Sequence, residues 1–534
     1  MAKYIFVTGG VVSGLGKGIT AASLGKLLRL RGYKVSVQKI DPYLNVDPAT
    51  MSPYEHGEVF ITDDGAATDL DIGHYERFLD INCSAKSDIT SGQIYTNVLN
   101  KERNGDYNGL TVQIVPHVTN EIKDFMRAIG VGQDIVIIEI GGTVGDMEQA
   151  VYIEAIRQFR RELGANNSVS VHVTLIPYIA SSGEIKTKPT QNSVKDLQRQ
   201  GVFADVLVCR TTADVDLGQE HRDKIAMFCG LDNQEDVIHN RDCRTIYEVP
   251  LMFAKQNFDL IVLKKLNLKL NKCDLSAWSQ MVDKLCDDKL PEANIAIVGK
   301  YAEVADAYIS VTEALKHAGI VNNVRLNVKL ISAEDIERDG ATAWLKNIQG
   351  IVVPGGFGNR GVEGKISTAE YARKNEIPFL GIGLGMQAAV IEFARHVCGL
   401  KDANSTELTN KTKNPIVHTQ SGTKRAGLYD CQLKAGSLAA KLYKKIDVKE
   451  RHHHCYEINN EYVAQLEQNG LVVSGINPQE KFVDIVELSN HPFYMACQFQ
   501  PEFISRPQRP HPLFEGFIAV VAQRLPRQGE FDLQ

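Results

Sequence analysis

A short apolar strand that leads directly into a glycine-rich turn constrains the fold of this chain more than any other feature. The predicted strand covers residues 3–8, and the turn after it reads Gly9-Gly10-Val11-Val12-Ser13-Gly14-Leu15-Gly16-Lys17-Gly18. Small residues let backbone N–H groups approach an anion closely, and a helix beginning near Gly18 directs the positive end of its dipole to the same place. Lys17 adds a charge for terminal phosphates. The pattern predicts a phosphate-binding loop in an α/β domain.

The spacing of this loop departs from the strict Walker pattern, which places four residues between its first glycine and Gly-Lys. Here five residues separate Gly10 from Gly16, and a glycine follows Lys17. The alternative is a tight strand-to-helix turn that binds nothing. The preceding strand, the helical residues 21–30 and the position of the lysine favour a variant phosphate loop.

Composition and charge exclude several classes of protein. The 534 residues exceed what one hydrophobic core holds, so at least two domains are expected. A hydrophobic fraction of 43% and a charged fraction of 23% are typical of a soluble globular enzyme. The net charge of -6, without a basic stripe, argues against nucleic acid as a partner.

The chain also lacks sequence signals for secretion or membrane insertion. A strand is predicted from the start, which leaves no room for a signal peptide, and no apolar run has membrane-spanning length. The ten cysteines are scattered without a C-x-x-C pair and are expected to be reduced structural thiols. We therefore expect a cytoplasmic protein without a membrane partner.

Two α/β halves are predicted. Apolar strands alternate with helical stretches in the first half, which indicates a mostly parallel sheet in a three-layer α/β domain. The strand pattern is lost from about residue 266 to 291, and a second α/β series begins at residue 295. We predict a first domain at residues 1–267, a connection at 268–291 and a second domain at 292–534.

Two acidic residues of the first half are candidate magnesium ligands. A phosphate loop needs magnesium, and magnesium prefers carboxylate oxygens. Asp71 lies in a predicted loop rich in small residues, and Glu139 ends the apolar strand 135–140. A single acid is usually a solvated surface charge, but an unpaired carboxylate at the end of a buried strand would be costly.

Further segments of this half, taken together with the glycine-rich loop, resemble CTP synthase. Taken alone, the lysine-rich segment 183–191 is weak evidence, because such loops are usually solvated. The segments that carry the resemblance are Lys39-Ile40-Asp41-Pro42-Tyr43, Ser52 to Phe60, Gly73 to Phe78, Gly141 to Asp146 and Lys186-Thr187-Lys188-Pro189-Thr190-Gln191. The resemblance covers nearly the whole chain. It implies amination of UTP at C4 with ATP, Mg2+ and glutamine, by a P-loop-like three-layer amidoligase domain followed by a class I glutamine amidotransferase-like α/β domain.

The resemblance also implies roles for individual residues. Catalysis would involve Lys17 and Lys39, and magnesium would bind Asp71 and Glu139. The implied ATP contacts are Ser13, Gly14, Leu15, Gly16, Lys17, Gly18, Ile19, Arg210, Arg241, Asp242 and Cys243. The implied contacts for UTP, and for CTP as feedback inhibitor, are Ser13, Asp146, Glu148, Lys186, Thr187, Lys188, Gln191 and Lys224, largely across a subunit boundary of a homotetramer. One departure is Ala67, where the family has Glu beside the metal acids.

The second half has the form of a nucleophile elbow without its nucleophile. An apolar strand enters the glycine-flanked turn Gly381 to Gly385, and a helix is predicted from Gln387 to Val397. Gly383 stands where the family has cysteine, and Gln500 stands where it has the activating histidine. An amide is not a general base near neutral pH. Glu502, the residue that would orient the histidine, remains.

Glutamine binding is expected to be damaged as well. Cys455 replaces the arginine that would pair with the substrate carboxylate, and its position off the elbow argues against a replacement nucleophile. Neighbouring histidines at 452–454 alternate along a predicted strand, which argues against a metal site. The retained parts of the glutamine and GTP-activator region are Gly355, Gly356, Phe357, Arg360, Gly361, Glu363, Gln387 and Glu407.

The sequence therefore predicts an ATP-dependent amidoligase that forms CTP from UTP with ammonia as donor and that has lost glutaminase activity. One alternative is a regulatory or filament-forming subunit that binds nucleotides without catalysis. Another is a P-loop amidoligase that acts on a different carbonyl or carboxyl substrate. The intact Lys17, Asp71 and Glu139 argue against the first, and the segment 186–191 argues against the second.

Overall fold

The computed structural model describes residues 2–211, 215–419 and 424–525. The chain divides into two compact units, one holding residues up to Thr50 and Asp71–Cys286, the other Met51–Leu70 and the residues from Asp287 onward. The outer ends of the two predicted domains, residues 1 and 526–534, lie outside the described residues. The predicted two-domain α/β class is confirmed, whereas the boundaries at residues 267 and 291 stay a prediction.

A parallel sheet lies at the centre of the first unit. In the part of the chain that the structure describes, it has seven strands in the order Val237–Arg241, Val206–Thr211, Ser168–Leu175, Lys3–Gly9, Ile135–Ile140, Val35–Asp41 and Asp88–Thr90. Tyr4 and Phe6 pack into one core while Ile5 and Val7 are buried on the opposite face. Burial on both faces explains why these strands are almost continuously apolar.

Helices cover this sheet and supply the rest of the core. They are Lys17–Leu30, Leu70–Leu79, Ser91–Arg103, Thr119–Ala128, Ala150–Leu163, Lys188–Arg199, Gln219–Cys229, Val249–Lys255, Phe258–Lys265 and Ser276–Leu285. The last of these falls within the predicted connection 268–291. Its Trp278 is buried, and the indole N–H donates a hydrogen bond to the carbonyl of Tyr247 at 2.9 Å. This part of the connection is therefore packed helix.

The second unit is built on a mixed sheet. Over the described residues its nine strands follow the order Arg325–Ser332, Glu292–Gly299, Gly350–Val353, Phe379–Ile382, Tyr494–Cys497, Val483–Leu488, Leu471–Ile476, Arg425–Leu433 and Asp447–His454. The first five are parallel and the remainder antiparallel. Ala296 and Val298 enter one core while Ile295 and Ile297 enter another, so both faces of the sheet are covered.

The helices of the second unit pack on these two faces, and a short sheet flanks them. The helices are Ile309–Asn322, Ala333–Asp339, Ala341–Leu345, Val362–Lys374, Leu384–His396, Leu438–Tyr443, Val463–Gln468 and Pro512–Gln523. The flanking sheet pairs Asn404–Ser405, Pro415–His418 and Glu457–Ile458. Across the residues that the structure describes, no helix is long and apolar enough to span a membrane.

A hairpin from the N-terminal part of the sequence belongs to the second unit. Its strands are Phe60–Ile61 and Ala67–Thr68. The fully buried guanidinium of Arg451 donates to Asp63 at 2.6 Å and to the carbonyl of Ile61 at 3.1 Å. The ring of Phe60 packs against Phe503 with centroids 4.9 Å apart. Residues 51–70 are therefore held by a buried ion pair and an aromatic contact.

Three local expectations need correction. Asp71 lies in the first turn of the helix Leu70–Leu79 and not in a loop. Its negative charge is stabilised there by the positive end of the helix dipole. Lys188 begins a helix with Pro189 in its first turn, a position that tolerates proline because its N–H would be unpaired there. The elbow helix begins at Leu384, three residues before the predicted start, because Gly383 turns the chain directly into it.

Candidate active sites

The glycine-rich loop follows the central strand of the first sheet and ends at the helix Lys17–Leu30. Val11, Gly14 and Gly16 have φ angles of +82°, +72° and +79°, so the loop turns through the left-handed region. No described side chain caps the helix at Gly16. The first backbone N–H groups of this helix thus keep their donor capacity for an anion.

Lys17 lies across the start of the loop. A Cβ atom at Gly9 would be 2.7 Å from Cδ of Lys17, so the side chain needs a glycine there. Its Nζ donates a hydrogen bond to the carbonyl of Gly142 at 2.7 Å. Burial lowers the pKa of Lys17, and the charge of Glu139 opposes this shift. The ammonium group is therefore held between the loop and the acidic residues.

Asp71 and Glu139 meet at this end of the sheet. A Cβ atom at Gly18 would be 2.6 Å from Cγ of Asp71, so the glycine after the lysine is required by this carboxylate. Lys39 forms an ion pair with Asp71. Glu139 is 2% exposed and accepts a hydrogen bond from the hydroxyl of Tyr75.

The charges of this cluster are coupled. The pKa of Glu139 is raised to about 7, first by burial and then by the charge of Asp71. Burial acts most strongly on Asp71 and would raise its pKa, but Lys39, His74 and Lys17 together outweigh burial and the net shift of the pKa is downward. Two carboxylates that repel each other beside a phosphate loop are an oxygen donor set that suits Mg2+. The residues present therefore fit the predicted metal.

The implied ATP contacts that lie outside the glycine-rich loop fall into two groups. Arg210 forms an ion pair with Asp242, and its Nη1 would be 3.1 Å from a Cβ atom at Gly16. This pair thus lies beside the loop. Arg241 and Cys243 instead line a cavity of about 700 Å³ in the same unit.

Five of the residues predicted to bind UTP line one cavity of about 1050 Å³. They are Lys186, Thr187, Lys188, Gln191 and Lys224. Lys186 forms an ion pair with Glu184, and the other lysines add further positive charge. The described lining of this cavity does not include Ser13, Asp146 or Glu148. The assignment of these three to the same ligand, across a subunit boundary, stays a prediction.

The elbow of the second unit has the backbone of a catalytic turn. Gly383 has φ +54° and ψ -112°, outside the regions that L-residues adopt freely. Its N–H donates to the carbonyl of Cys497 at 2.8 Å. A Cβ atom at this position would be 3.3 Å from Nε2 of Gln500 and 3.5 Å from Cα of Gly355. The amide of Gln500 therefore lies against the position where a nucleophile is expected from the sequence.

The polar residues around the elbow are buried without full hydrogen bonding. Among the described residues, no partner is present for Oε1 of Gln387, Oε1 of Gln500 or Oε2 of Glu502. Burial raises the pKa of Glu502 well above its usual value. The two amides offer neither a nucleophile nor a base for amide hydrolysis.

Two lysines and a glutamate hold the loop that would form the oxyanion hole. Lys365 donates to the carbonyl of Pro354 at 3.2 Å, and Lys300 donates to the carbonyl of Phe357 at 2.5 Å. Glu407 accepts the backbone N–H of Gly358 at 2.7 Å. The loop containing Gly355, Gly356 and Phe357 is thus fixed at three points, two of them by lysines.

The other residues predicted in this half are engaged in surface interactions. Arg360 forms an ion pair with Glu334 at 3.0 Å, and Glu363 forms one with Arg395 at 2.8 Å. Gly361 has φ +74° and begins the helix Val362–Lys374. Cys455 is exposed. A role for this group in binding GTP or glutamine stays a prediction.

Some residues close to these sites had not been identified from the sequence. Tyr75 contacts Glu139, His172 is buried beneath the phosphate loop, and Lys365 is buried beneath the oxyanion loop. A signal existed for His172, because polar residues at 170, 172 and 174 interrupt an otherwise apolar buried strand on alternate positions. Lys365 gives no such signal, since a lysine on a helix is ordinarily solvated.

Comparisons with known proteins agree with this arrangement. The family "CTP synthase N-terminus" matches residues 3–268, and the family "Glutamine amidotransferase class-I" matches residues 303–520. The CTP synthase of Caldanaerobacter subterraneus subsp. tengcongensis is 53% identical over 534 residues and covers 98% of both chains. That of Methanocaldococcus jannaschii is 52% identical and covers 97% of this chain and 98% of its own length.

One solved structure is similar to part of this chain. The Trypanosoma brucei CTPS glutaminase domain with bound acivicin is 38% identical to this chain. The match covers 43% of this chain and 94% of that domain, with a TM-score of 0.42.

Proposed function

The chain belongs to the CTP synthase family, and from this premise we propose that it converts UTP to CTP with ATP and Mg2+, that ammonia is its nitrogen donor, and that glutamine is not. Full-length relatives and both family matches support the conversion itself. The choice of donor rests on the residues of this chain.

One observation carries the proposal for the first unit. The phosphate loop, Lys17 and the carboxylates of Asp71 and Glu139 converge at one end of the parallel sheet. Ligands of open α/β sheets bind at the carboxyl ends of the strands. A nucleoside triphosphate bound at the loop would therefore lie beside a lysine and two carboxylates that could bind a metal ion.

The proposed reaction has two steps. The γ-phosphoryl group of ATP is transferred to the C4 oxygen of UTP, and ammonia then displaces phosphate from C4 to give CTP. Lys17 and Lys39 would neutralise phosphate charge, and Asp71 and Glu139 would hold Mg2+, which when bound offsets the charge of the phosphate oxygens. Phosphoryl transfer depends mainly on such positioning and charge compensation.

The cavity lined by Lys186, Lys188, Gln191 and Lys224 is the proposed site for UTP and for CTP as feedback inhibitor. Three lysines beside a helix N-terminus suit a triphosphate. We further propose a homotetramer, because Asp146 and Glu148 do not line this cavity and would reach it from a neighbouring subunit. GTP as an activator would act near Arg360 and Glu363.

The residues of the second unit support the proposed loss of glutamine use. Gly383 offers no thiol at the elbow, and Gln500 brings an amide to the space that a thiol would need. Cys455 offers no guanidinium for the carboxylate of glutamine. The nucleophile, its base and the residue that binds the substrate carboxylate act as a unit. With all three replaced, we expect no residual glutamine hydrolysis.

The test is CTP formation by the full chain from UTP, ATP and Mg2+, with ammonium or glutamine supplied separately. We expect turnover with ammonium and none above background with glutamine. Glutamate release is measured in parallel, which detects glutamine hydrolysis even if ammonia fails to reach UTP.

Three outcomes would contradict the proposal. Glutamate release at the rate of ammonium-driven CTP formation would show an intact glutaminase. Binding of ATP and UTP without turnover would favour the regulatory subunit. Consumption of ATP with ammonium only when another carbonyl substrate replaces UTP would favour an amidoligase of different specificity.

A further inference from the structure

Three buried polar side chains form a continuous hydrogen-bonded chain beneath the phosphate loop. Oγ1 of Thr8 lies 2.9 Å from Nδ1 of His172, and Nε2 of His172 lies 2.8 Å from Oγ of Ser193. Thr8 and His172 have no exposed surface and Ser193 is 5% exposed. The imidazole therefore joins the strand that leads into the loop to the helix Lys188–Arg199.

The loop backbone also rests directly on this chain. A Cβ atom at Gly10 would overlap Oγ of Ser193 and lie 3.2 Å from Nε2 of His172. The N–H of Gly10 donates to the carbonyl of Val173, the neighbour of His172, at 3.1 Å. No side chain fits at position 10, so this glycine is required by the helix as well as by the loop.

The imidazole is neutral, which gives the chain a fixed donor and a fixed acceptor. Burial lowers the pKa of His172 to about 3, and the charge of Lys17 adds to the shift. One ring nitrogen therefore donates to a hydroxyl and the other accepts from a hydroxyl. An apolar ring of similar size would leave both hydroxyls buried without this partner, which is costly.

The two ends of the chain lead to the two proposed substrate sites. Thr8 immediately precedes the loop that carries Lys17. Ser193 lies two residues after Gln191, on the helix whose first turn lines the 1050 Å³ cavity. A ligand that binds to this first turn would shift the helix and with it Ser193. The hydrogen bonds of His172 would pass this shift to Thr8 and to the loop backbone at Gly10.

We propose that His172 is a positioning residue that couples the phosphate loop to the nucleotide cavity of the same chain. Occupation of the loop by a purine triphosphate then raises the affinity of the cavity for a pyrimidine triphosphate, and the reverse holds by the same factor. This inference rests on the proposed function, which places ATP at the loop and UTP in the cavity.

The experiment measures the affinity of the full chain for a non-hydrolysable ATP analogue by calorimetry, with Mg2+, in the absence and presence of saturating UTP. We expect UTP to raise the affinity of the unmodified chain for the analogue by a factor of roughly five or more. In His172→Phe this factor should fall to about one, while the affinity for each nucleotide alone changes less than roughly threefold.

Three further variants separate coupling from general stability. His172→Gln keeps one donor and one acceptor and should retain part of the factor. Ser193→Ala removes one bond of the chain and should lower the factor, which tests the proposal if His172→Phe fails to fold. Ser170→Ala lies on the same strand, and its buried hydroxyl has no partner among the described residues, so the factor should stay at the unmodified value.

A folded His172→Phe chain, or Ser193→Ala, that keeps the full factor would overturn the inference. The same holds if Ser170→Ala abolishes the factor as completely, or if the unmodified chain binds both nucleotides without coupling. Failure of the unmodified chain to bind either nucleotide would instead overturn the proposed function.

Discussion

The phosphate loop of the first unit and the elbow of the second share a backbone arrangement but differ in the side chains that surround the turn. Each is a glycine-flanked turn between a buried parallel strand and a helix. In the loop, the charged residues that the chemistry needs lie within reach of the turn. In the elbow, the turn is intact while Gly383 and Gln500 stand in place of the reacting side chains.

The difference indicates that packing alone can require the backbone of such a turn, whereas the side chains around the turn are required only for its chemistry. A Cβ atom at Gly385 would overlap the carbonyl of Val353, and one at Gly381 would lie 2.9 Å from the backbone of Gly385. These glycines are required for packing whether or not hydrolysis occurs. The side chains at 455 and 500 carry no such requirement, so the backbone of the elbow would persist even if, as we propose, its chemistry is lost.

The largest expected effect tests the intact side of this comparison. Lys17→Met keeps the length of the side chain but removes the charge beside the phosphates. We expect ammonium-driven CTP formation to fall by roughly a thousandfold, the range seen when one electrostatic donor is removed from a site. Steady-state kinetics with saturating ammonium measure the loss. Lys441→Met, on an exposed helix of the second unit, is the matched control and should change the rate little.

A second prediction attempts to reverse the loss at the elbow. Gly383→Cys alone should release almost no glutamate, because a thiol without a histidine keeps a pKa near ~8.5. Combining it with Gln500→His and Cys455→Arg should raise glutamate release by about a hundredfold or more over the single variant, since such groups act as a unit. Equal rates for the single and triple variants would show that the elbow has lost more than side chains.

Much of this comparison could be predicted from the sequence, for physical reasons that differ by region. The strand Ile135–Ile140 is identified by an apolar run that only Glu139 interrupts, and the fold class of both halves follows from such apolar runs. Asp71 was misplaced because a carboxylate in a first helical turn leaves no periodic signal. The hairpin at 60–68 could not be assigned to the second unit, since its anchor Arg451 lies 388 residues from Asp63.

The site residues were predictable only where a motif marks them. Lys17 and Gly383 stand in recognisable turns. The sequence therefore indicates a lysine in the phosphate loop and a glycine at the position where the elbow is expected to carry its nucleophile. Lys365 could not be predicted, because nothing in the sequence of its helix marks this lysine as packed beneath the nearby loop that contains Pro354. The departures at Cys455 and Gln500 became visible only through the resemblance to a family.

A third prediction concerns Lys365 and the pH dependence of stability. Burial lowers its pKa from 10.5 to about 7. Between these values the unfolded chain binds more protons than the folded chain, so the free energy of unfolding rises with pH, by at most ~1.4 kcal/mol per unit. Lys365→Met should remove about 1–2 kcal/mol of the rise between pH 7 and 9, since effective protein dielectrics reduce the full shift.

Urea unfolding at the two pH values provides the measurement. Lys374→Met lies on the same helix, where Lys374 is exposed and pairs with Glu370 at 2.6 Å, and it should leave the rise unchanged. A rise of the same size in Lys365→Met would show that this lysine is charged in the folded state and that the oxyanion loop holds it by another interaction.

The smallest expected effect concerns the backbone strain that a side chain at position 383 would impose on the elbow. Gly383→Ala places a Cβ atom at φ +54° and ψ -112°, 3.3 Å from Nε2 of Gln500. Backbone strain of this kind costs ~1–3 kcal/mol. Gly399→Ala also imposes a positive φ, +74°, but into open space, and should cost about 1 kcal/mol. The difference in unfolding free energy between the two variants, about 1 kcal/mol, measures the strain specific to the elbow. A side chain at position 383 would carry this strain, and glycine at 383 avoids it. Equal losses in the two variants would mean that the elbow backbone relaxes around a side chain, and the triple restoration at positions 383, 455 and 500 would then be expected to misplace its thiol.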